Sequence, residues 1–221
     1  MKKLVIFDLD GTLLNTINDL GEATNHALHE LGFPTHALSV YPSYVGNGVR
    51  KLMERALPDS EATPETVAAM LEHFKAYYDE HGCDHTSPYP GIPELLRQLT
   101  DADVNIAVAS NKYQEAVEAI VPRFFPDVHW AALEGQKQGV PVKPDPSIVF
   151  EILTKCPTPK ADVLYVGDSG VDIETARRAC VDNVGVTWGY RPVRELKAAY
   201  ADRIVDNPME ILEVVQSGSP L

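Results

Sequence analysis

The spacing of hydrophobic residues changes once along this chain. Between Thr16 and about His81 apolar positions recur every three or four residues, which predicts helices. From Val104 onward short apolar runs alternate with helical patterns, which predicts a parallel, doubly wound sheet. A first apolar run at 4–7 predicts a strand buried on both faces. The fold class is therefore α/β, with a Rossmann-like core into which an all-helical segment is inserted.

Three apolar stripes with helical spacing predict three helices in the inserted segment. Thr63 is a predicted N-cap, because Pro64 follows at the first helical position. The stripes run over 17–31, 49–57 and 67–78.

The second half of the chain carries the strands and helices of the predicted core. Short β-rich runs predict strands at 104–109, 129–133, 163–166, 184–187 and 203–205. Helical patterns follow at 116–121, 147–156, 172–180 and 193–200.

The same patterns divide the chain into two domains. Residues 1–14 and 86–221 form the expected catalytic core, and residues 15–85 form the expected helical cap. The predicted hinges are 13–16 and 82–90, and the second runs into the turn-rich sequence Ser87-Pro88-Tyr89-Pro90-Gly91. A helical insertion at this point can cover whatever follows the first strand.

Composition narrows the range of partners. The chain has 221 residues, 44% of them hydrophobic, and a formal net charge of −13. That charge disfavours nucleic acids and anionic membranes as partners, and an anionic substrate must be attracted locally. Three scattered cysteines, no secretion signal and no long apolar stretch favour a cytoplasmic protein with free thiols. A homodimer is left open.

The first strand ends in chemically unusual residues. Asp8, Asp10 and Thr12 follow the apolar run directly, and unpaired buried carboxylates are costly unless a cation or water accompanies them. Ligands of open α/β sheets bind at the carboxyl ends of strands. Phosphate-ester hydrolysis would explain this arrangement, because an ionised carboxylate can attack phosphorus while Mg²⁺ offsets the charge of both anions.

Three further groups lie where this topology places strand ends or helix starts. They are Ser110-Asn111-Lys112, Lys143-Pro144-Asp145-Pro146 and the segment from Gly167 to Asp172. With the first motif, in this order, they make the chain resemble the haloacid dehalogenase-like hydrolases, which are mostly Mg²⁺-dependent phosphatases. The resemblance covers the whole chain, including the inserted cap.

The resemblance implies roles for the acidic residues. Asp8 would be the nucleophile and a metal ligand, forming an aspartyl-phosphate. Asp10 would be the general acid and then the general base, and its backbone carbonyl would also bind Mg²⁺. Asp168 would complete the metal site. Asp172 would orient either a metal-bound water or Lys143.

The polar residues receive roles in the same way. Thr12, Ser110 and Asn111 match positions that hold the transferring phosphoryl group, although Ser110 is also a candidate N-cap of the next helix. Lys143 matches the lysine that neutralises the charge of the phosphate and the nucleophile. Lys112 is expected at the surface rather than in catalysis.

The expected cap carries the clue to the substrate. Val45-Gly46-Asn47-Gly48-Val49-Arg50 resembles the glycine turn of phosphoglycolate phosphatases, and Arg50 would bind a substrate carboxylate. A plain turn before a helix, with Arg50 in solvent, explains the segment equally well. The predicted substrate is a small phosphorylated metabolite, with 2-phosphoglycolate first. A β-phosphoglucomutase-like phosphomutase is the alternative, and a non-catalytic regulatory protein on the same fold is a weaker one.

Overall fold

A six-stranded parallel sheet forms the centre of the protein in a computed structural model, which describes residues 1–217. Residues 218–221, which the sequence assigns to the core, lie outside the described residues. The strands are β1 (Leu4–Phe7), β2 (Leu14–Asn15), β3 (Ser87–Pro88), β4 (Asn105–Tyr113), β5 (Trp130–Gln136), β6 (Val163–Gly167), β7 (Asp182–Val186) and β8 (Arg203–Val205). The sheet order is β5-β4-β1-β6-β7-β8, which confirms the predicted doubly wound α/β fold.

Helices cover both faces of this sheet and build the inserted segment. They are α1 (Ile17–Glu30), α2 (Tyr41–Tyr44), α3 (Val49–Ala56), α4 (Pro64–His81), α5 (Ile92–Asp101), α6 (Gln114–Phe124), α7 (Ser147–Lys155), α8 (Gly170–Ala179), α9 (Val193–Ala198) and α10 (Pro208–Ser217). Single 3₁₀ turns lie at Leu38–Val40 and Lys160–Asp162. Thr63 caps α4, as predicted, by accepting a hydrogen bond from the Thr66 amide at 3.2 Å.

The central strand β1 is buried on both faces. Its side chains alternate in direction, so Val5 and Phe7 join the layer beneath α5, α6 and α10. Leu4 and Ile6 join the opposite layer, beneath α7 and α8. Since all four residues are 0% exposed, the end of β1 is fixed from every side.

Helices α1 to α4 enclose a separate hydrophobic core. Leu28, Met53, Met70 and Phe74 lie at its centre, and all are fully or almost fully buried. Tyr113 at the end of β4 also packs into this cluster, so the helical segment rests directly on the carboxyl edge of the sheet.

Two chain crossings connect the helical segment to the sheet, and they lie side by side. Strands β2 and β3 pair antiparallel, with Leu14 opposite Pro88. Nearby, Asp19 of α1 accepts hydrogen bonds from the Thr86 amide at 2.8 Å and its hydroxyl at 2.6 Å. The sequence predicts hinges here but not the two-stranded ribbon, which depends on pairing across about 70 residues.

Some element boundaries differ from the prediction. Strand β4 was expected to end at Ala109 but continues to Tyr113, because its last residue pairs with Gln136 of β5. Ser110 therefore lies within a strand, and Tyr113, not Ser110, is the N-cap residue of α6. The sequence also misses α5 and α10, whose starts carry a proline that resembles a turn signal.

Among the described residues, no helix combines the length and the hydropathy needed to cross a bilayer.

Candidate active site

The carboxyl ends of three adjacent strands meet at one point. Strand β1 lies between β4 and β6, so Asp8 after β1 lies next to Ser110 of β4 and Asp168 after β6. All three side chains are buried, between 2% and 7% exposed. The parallel topology, rather than proximity in sequence, assembles this group.

Asp8 is paired with a lysine that lies 135 residues away. Lys143 Nζ donates a hydrogen bond to Asp8 Oδ1 at 2.8 Å. Burial is the largest influence on this carboxyl and, with the charge of Asp172, raises the pKa of Asp8 to about 7 despite the opposing lysine. Asp8 is therefore a desolvated carboxylate whose charge depends on nearby cations.

Lys143 has a full set of partners. Besides Asp8, its ammonium donates to Asp172 Oδ1 at 2.7 Å, the Ala109 carbonyl at 2.9 Å and the Tyr165 hydroxyl at 3.2 Å. Burial alone would lower the pKa of Lys143, but the charges of Asp172 and Asp8 outweigh it and hold this pKa well above its ordinary value. Lys143 is thus a fixed positive charge beside Asp8.

Asp172 holds this lysine in place from the start of α8. Its Oδ2 accepts a hydrogen bond from the Ser169 amide at 3.2 Å, and Ser169 in turn caps the helix, which makes a capping box. Its other oxygen contacts Lys143. Of the two roles that the sequence leaves open, contact with Lys143 is the one that this geometry contains.

Asp168 faces Asp8 from the end of β6. Its Oδ2 accepts a hydrogen bond from the Tyr190 amide at 2.6 Å. Burial, followed by the charges of Asp172 and Asp8, raises the pKa of Asp168 well above its ordinary value. Gly11, at φ +92°, lies so close that a Cβ there would be 2.6 Å from Asp168 Oδ2.

Together these acids form a cluster with an excess of negative charge. Asp8, Asp168 and Asp172 each offer a carboxylate oxygen, and these oxygens lie within 4.8 Å of one another. Lys143 offsets only one of three carboxylates, and two of the three have raised pKa values. All-oxygen, carboxylate-rich surroundings suit a hard divalent cation such as Mg²⁺. The residues present therefore fit a metal ion.

Asp10 points to the other side of the loop, towards the helical segment. Its Oδ1 accepts a hydrogen bond from Thr16 Oγ1 at 2.7 Å and lies 3.3 Å from Lys112 Nζ. The Tyr190 hydroxyl contacts the Thr16 amide at 2.8 Å, which fixes this part of the first hinge. Asp10 is thus held separately from the Asp8 and Lys143 pair.

Lys112 is buried, and its expected place at the surface is wrong. The residue is 6% exposed, and its ammonium donates to the Tyr78 hydroxyl at 2.9 Å while lying over the Tyr78 ring. Its position follows from the extension of β4 and from α4, which packs over the end of that strand.

Thr12 carries an unsatisfied polar atom. Its Oγ1 is buried without a hydrogen-bond partner among residues 1–217, whereas the Thr12 carbonyl accepts from Trp188 Nε1 at 3.0 Å. An unpaired buried hydroxyl is rare in native proteins and indicates a ligand or water in the working molecule. Ser110 Oγ accepts a hydrogen bond from the Lys112 amide at 3.2 Å and remains able to donate.

The side chain of Asn111 forms hydrogen bonds within the protein. Its amide nitrogen donates to the Gly46 carbonyl at 3.1 Å and to the Lys143 carbonyl at 3.2 Å, and its oxygen accepts from the Lys143 amide at 2.8 Å. Both N–H donors are therefore used. In this structure Asn111 positions Lys143 and the turn of the helical segment.

A cavity lies between the sheet edge and the helical segment. It encloses about 650 Å³ of empty space, including its open mouth. Its walls combine the acidic cluster and Lys112 from the core with Val45, Gly48 and Leu52 from the helical segment. Arg50 is exposed and is not among the lining residues. Arg191 lines the cavity instead, and donates to the Val45 carbonyl at 2.6 Å.

The comparisons with known proteins agree with this geometry. The family model for haloacid dehalogenase-like hydrolases matches residues 5–186. This chain belongs to the haloacid dehalogenase-like hydrolase family.

Relatives with a named activity align with almost the whole length of this chain. A phosphoglycolate phosphatase of Vibrio parahaemolyticus is 32% identical over 223 residues, covering 96% of each protein. One of Mannheimia succiniciproducens is 31% identical over 219 residues, covering 96% of this chain and 98% of the relative. A crystal structure from Lactobacillus delbrueckii subsp. bulgaricus, described as a candidate phosphoglycolate phosphatase, has a TM-score of 0.90 and 33% identity over 97% of this chain and 99% of that chain.

Sequence reasoning missed three residues of this hydrolase's cavity. Lys112, Tyr190 and Arg191 reach it only because separate segments fold over the strand ends. The residues after Ala109 are polar, so no local pattern indicated that the strand continues and that Lys112 is buried. Tyr190 and Arg191 follow β7 in a stretch without periodicity, so nothing in the sequence pointed to them.

Proposed function

We propose that this hydrolase is a Mg²⁺-dependent phosphatase that cleaves a small phosphate monoester, first of all 2-phosphoglycolate, through an aspartyl-phosphate on Asp8. The observation that carries the proposal is the pairing of Asp8 with Lys143 inside a buried carboxylate cluster at the floor of the cavity. The named activity of the relatives supports the same substrate.

In the first half-reaction, a carboxylate oxygen of Asp8 attacks the substrate phosphorus. The bond from phosphorus to the ester oxygen breaks, and that oxygen takes a proton from Asp10 and leaves as the alcohol. In the second, Asp10 removes a proton from water, which attacks phosphorus and releases inorganic phosphate from Asp8. Lys143 offsets the charge of the nucleophile and of the phosphoryl oxygens throughout.

Asp8 and Asp168, with the backbone carbonyl of Asp10, would hold the metal ion. When bound, Mg²⁺ would supply positive charge that lowers the repulsion between the carboxylate and the phosphate ester. The unpaired Thr12 hydroxyl and the Ser110 hydroxyl would donate hydrogen bonds to phosphoryl oxygens. Asn111 would act indirectly, by holding Lys143 and the Gly46 turn.

We propose the domain division expected from the sequence, with 15–85 as a cap over a core of 1–14 and 86–221. The ribbon of β2 and β3 supports boundaries at these points, since both crossings lie there. Opening of the cap would admit substrate and closure would exclude bulk water. A cytoplasmic location remains part of the proposal, in keeping with the small metabolite substrate.

Phosphate release from a panel of phosphorylated metabolites tests this function. We expect hydrolysis of 2-phosphoglycolate to be faster than hydrolysis of p-nitrophenyl phosphate and of sugar phosphates. EDTA should remove the activity, and added Mg²⁺ should restore it. Equal rates on all esters would contradict the proposed preference for 2-phosphoglycolate. Activity that survives complete chelation would contradict the proposed dependence on Mg²⁺. Isomerisation of β-glucose 1-phosphate in excess of phosphate release would identify a phosphomutase instead.

A further inference from the structure

The cavity contains more positive charge than the proposed phosphoryl chemistry uses. Within residues 1–217, three cationic side chains line it: Lys112, Lys143 and Arg191. Lys143 belongs to the acidic cluster. The other two have no role in the steps described above, and each is a candidate for binding the part of the substrate beyond the phosphate.

Two of the three cations are already engaged elsewhere. Lys143 has four hydrogen-bond partners, which is more than its three N–H donors satisfy individually. The guanidinium of Arg191 donates to the Val45 carbonyl at 2.6 Å and its Nε lies 3.9 Å from Glu195. Arg191 thus joins the core to the turn of the helical segment.

Arg191 also keeps unused N–H donors, but Lys112 is the cation that combines an unused donor with a contact to Asp10. Its ammonium has a hydrogen bond to the Tyr78 hydroxyl at 2.9 Å and a contact with Asp10 Oδ1 at 3.3 Å. Because an ammonium group has three donors, one has no acceptor among the described residues. A buried ammonium with an unused donor at a cavity wall attracts an anion strongly, since little water competes there.

We propose that Lys112 binds the carboxylate of the substrate and so selects phosphorylated acids. This inference rests on the proposed function. Asp10 must lie within about 3 Å of the ester oxygen to protonate it. In 2-phosphoglycolate the carboxylate carbon is only two bonds from that oxygen, so the carboxylate lies beside Asp10 too. Lys112 is the cation that contacts Asp10.

Tyr78 holds the ammonium in position. Its hydroxyl accepts a hydrogen bond from Lys112 Nζ, and its ring lies 4.6 Å below that atom. Tyr78 belongs to α4, whereas Lys112 belongs to β4, so the carboxylate site has its full form only when the helical segment rests on the core. Arg50, the residue that the sequence suggested for this task, is exposed.

The experiment compares two esters of equal carbon number. 2-Phosphoglycolate carries the carboxylate and ethyl phosphate lacks it, so their ratio of kcat/KM measures carboxylate recognition and is independent of the folded fraction. We expect Lys112→Met to lower kcat/KM for 2-phosphoglycolate by about 10- to 100-fold, the value of a charge-assisted hydrogen bond. Any effect through Asp10, which Lys112 contacts, lowers the rates on both esters alike, so the expected result is a fall of at least about tenfold in the ratio of the two kcat/KM values.

A matched control is present in the same protein. Lys75 also lies over a tyrosine ring, at 4.5 Å from the Tyr113 centroid, but is exposed and outside the cavity. Lys75→Met should leave both rates unchanged. Tyr78→Phe, which keeps the ring and removes the hydroxyl, should lower the rate on 2-phosphoglycolate alone by several-fold.

Binding without turnover separates this inference from the proposed function. In an Asp8→Asn background with Mg²⁺, calorimetry should show that Lys112→Met weakens 2-phosphoglycolate binding at least about tenfold. If that holds but the unaltered enzyme does not turn over the ester, the proposed function fails and the inference stands. Equal losses on both esters, or binding that ignores Lys112, would overturn the inference.

Discussion

Lys143 Nζ lies 2.8 Å from Asp8 Oδ1, which joins a lysine from the loop before α7 to the carboxylate at the end of β1. The lysine is 2% exposed, so this contact takes place almost entirely out of water. A buried pair of this kind is costly to assemble, and removing its cation is costly because buried carboxylates are left without a partner. The contact therefore connects the proposed chemistry of the site to the stability of the fold.

Removal of the Asp8 carboxylate, the proposed nucleophile, should lower activity without lowering stability. We expect Asp8→Asn to lower kcat/KM by about 10³-fold or more, because no other carboxylate occupies that position. The variant should be at least as stable as the unaltered metal-free protein, since it deletes a buried acid whose pKa is raised to about 7. Phosphate release and urea unfolding would measure the two effects. Normal turnover in Asp8→Ala would refute the assignment of the nucleophile.

Removal of Lys143, unlike removal of the Asp8 carboxylate, should lower the stability of the fold. Lys143→Met leaves Asp8 and Asp172 buried without their shared cation, and we expect the free energy of unfolding at pH 7 to fall by about 3–5 kcal/mol. Adding Asp172→Asn to this variant should recover part of the loss. Urea unfolding of both variants without metal would provide the comparison, and an undiminished stability in Lys143→Met would show that the pair contributes nothing.

Thr12 offers a test of the phosphoryl site without damage to the fold. Its Oγ1 has no partner in the part of the chain that the structure describes, so Thr12→Val removes none of the hydrogen bonds seen there. We expect unfolding stability to be unchanged or higher by about 1 kcal/mol, because an unsatisfied buried hydroxyl is costly. The activity should fall by about 10- to 100-fold. This is at or somewhat below the usual effect of losing one hydrogen-bond donor to the charge that develops in the transition state. Thermal unfolding and kcat would be measured together; a loss of stability with full activity would contradict both expectations.

A buried acid outside the cavity, Glu134, predicts a pH dependence of stability. Glu134 of β5 is 0% exposed and accepts hydrogen bonds from Lys137 and Lys155. Burial alone would raise its pKa, but the two ammonium groups outweigh it and lower the pKa of Glu134 below its ordinary value. The resulting stability is complete above the unfolded pKa of about 4.3 and is lost as the pH falls through the lower, folded pKa.

Glu134→Gln should therefore destabilise the protein at pH 7 by about 1–3 kcal/mol, a value reduced because both lysines are partly exposed. The difference from the unaltered protein should stay constant from pH 6 to 8 and shrink below about pH 4.3. Urea unfolding at several pH values would measure it. Glu151→Gln, which affects only Lys137, is the control and should cost less than about 1 kcal/mol. A difference that widens on acidification would contradict the assignment.

The parts of the site that are contiguous in sequence were predictable. Asp8, Asp10 and Thr12 follow one buried strand, and its hydrophobic pattern alone places them at a sheet edge. The meeting of Asp8 with Asp168 follows from the parallel topology, which the alternation of strands and helices predicts. Local pattern and long-range order agree here, since each strand end contributes one short motif.

The remaining parts depend on contacts that no local pattern contains. Lys112 is buried because β4 extends along β5 and because Tyr78, from a distant helix, covers it. Arg50 is of a residue type that often binds carboxylates, but it lies on the exposed face of α3. In both cases tertiary packing decides whether the side chain is buried or exposed. The local sequence around a charged residue next to a motif does not determine this.

The ribbon formed by β2 and β3 has a consequence for how such a protein can change over time. The helical segment that supplies part of the cavity wall leaves and re-enters the region of the sheet at adjacent points, with Asn15 opposite Ser87. A helical module of another length or shape can be joined there without shifting any of the six central strands. Replacement of the whole helical segment could thus change which metabolite is preferred, while the buried carboxylates at the strand ends keep their positions.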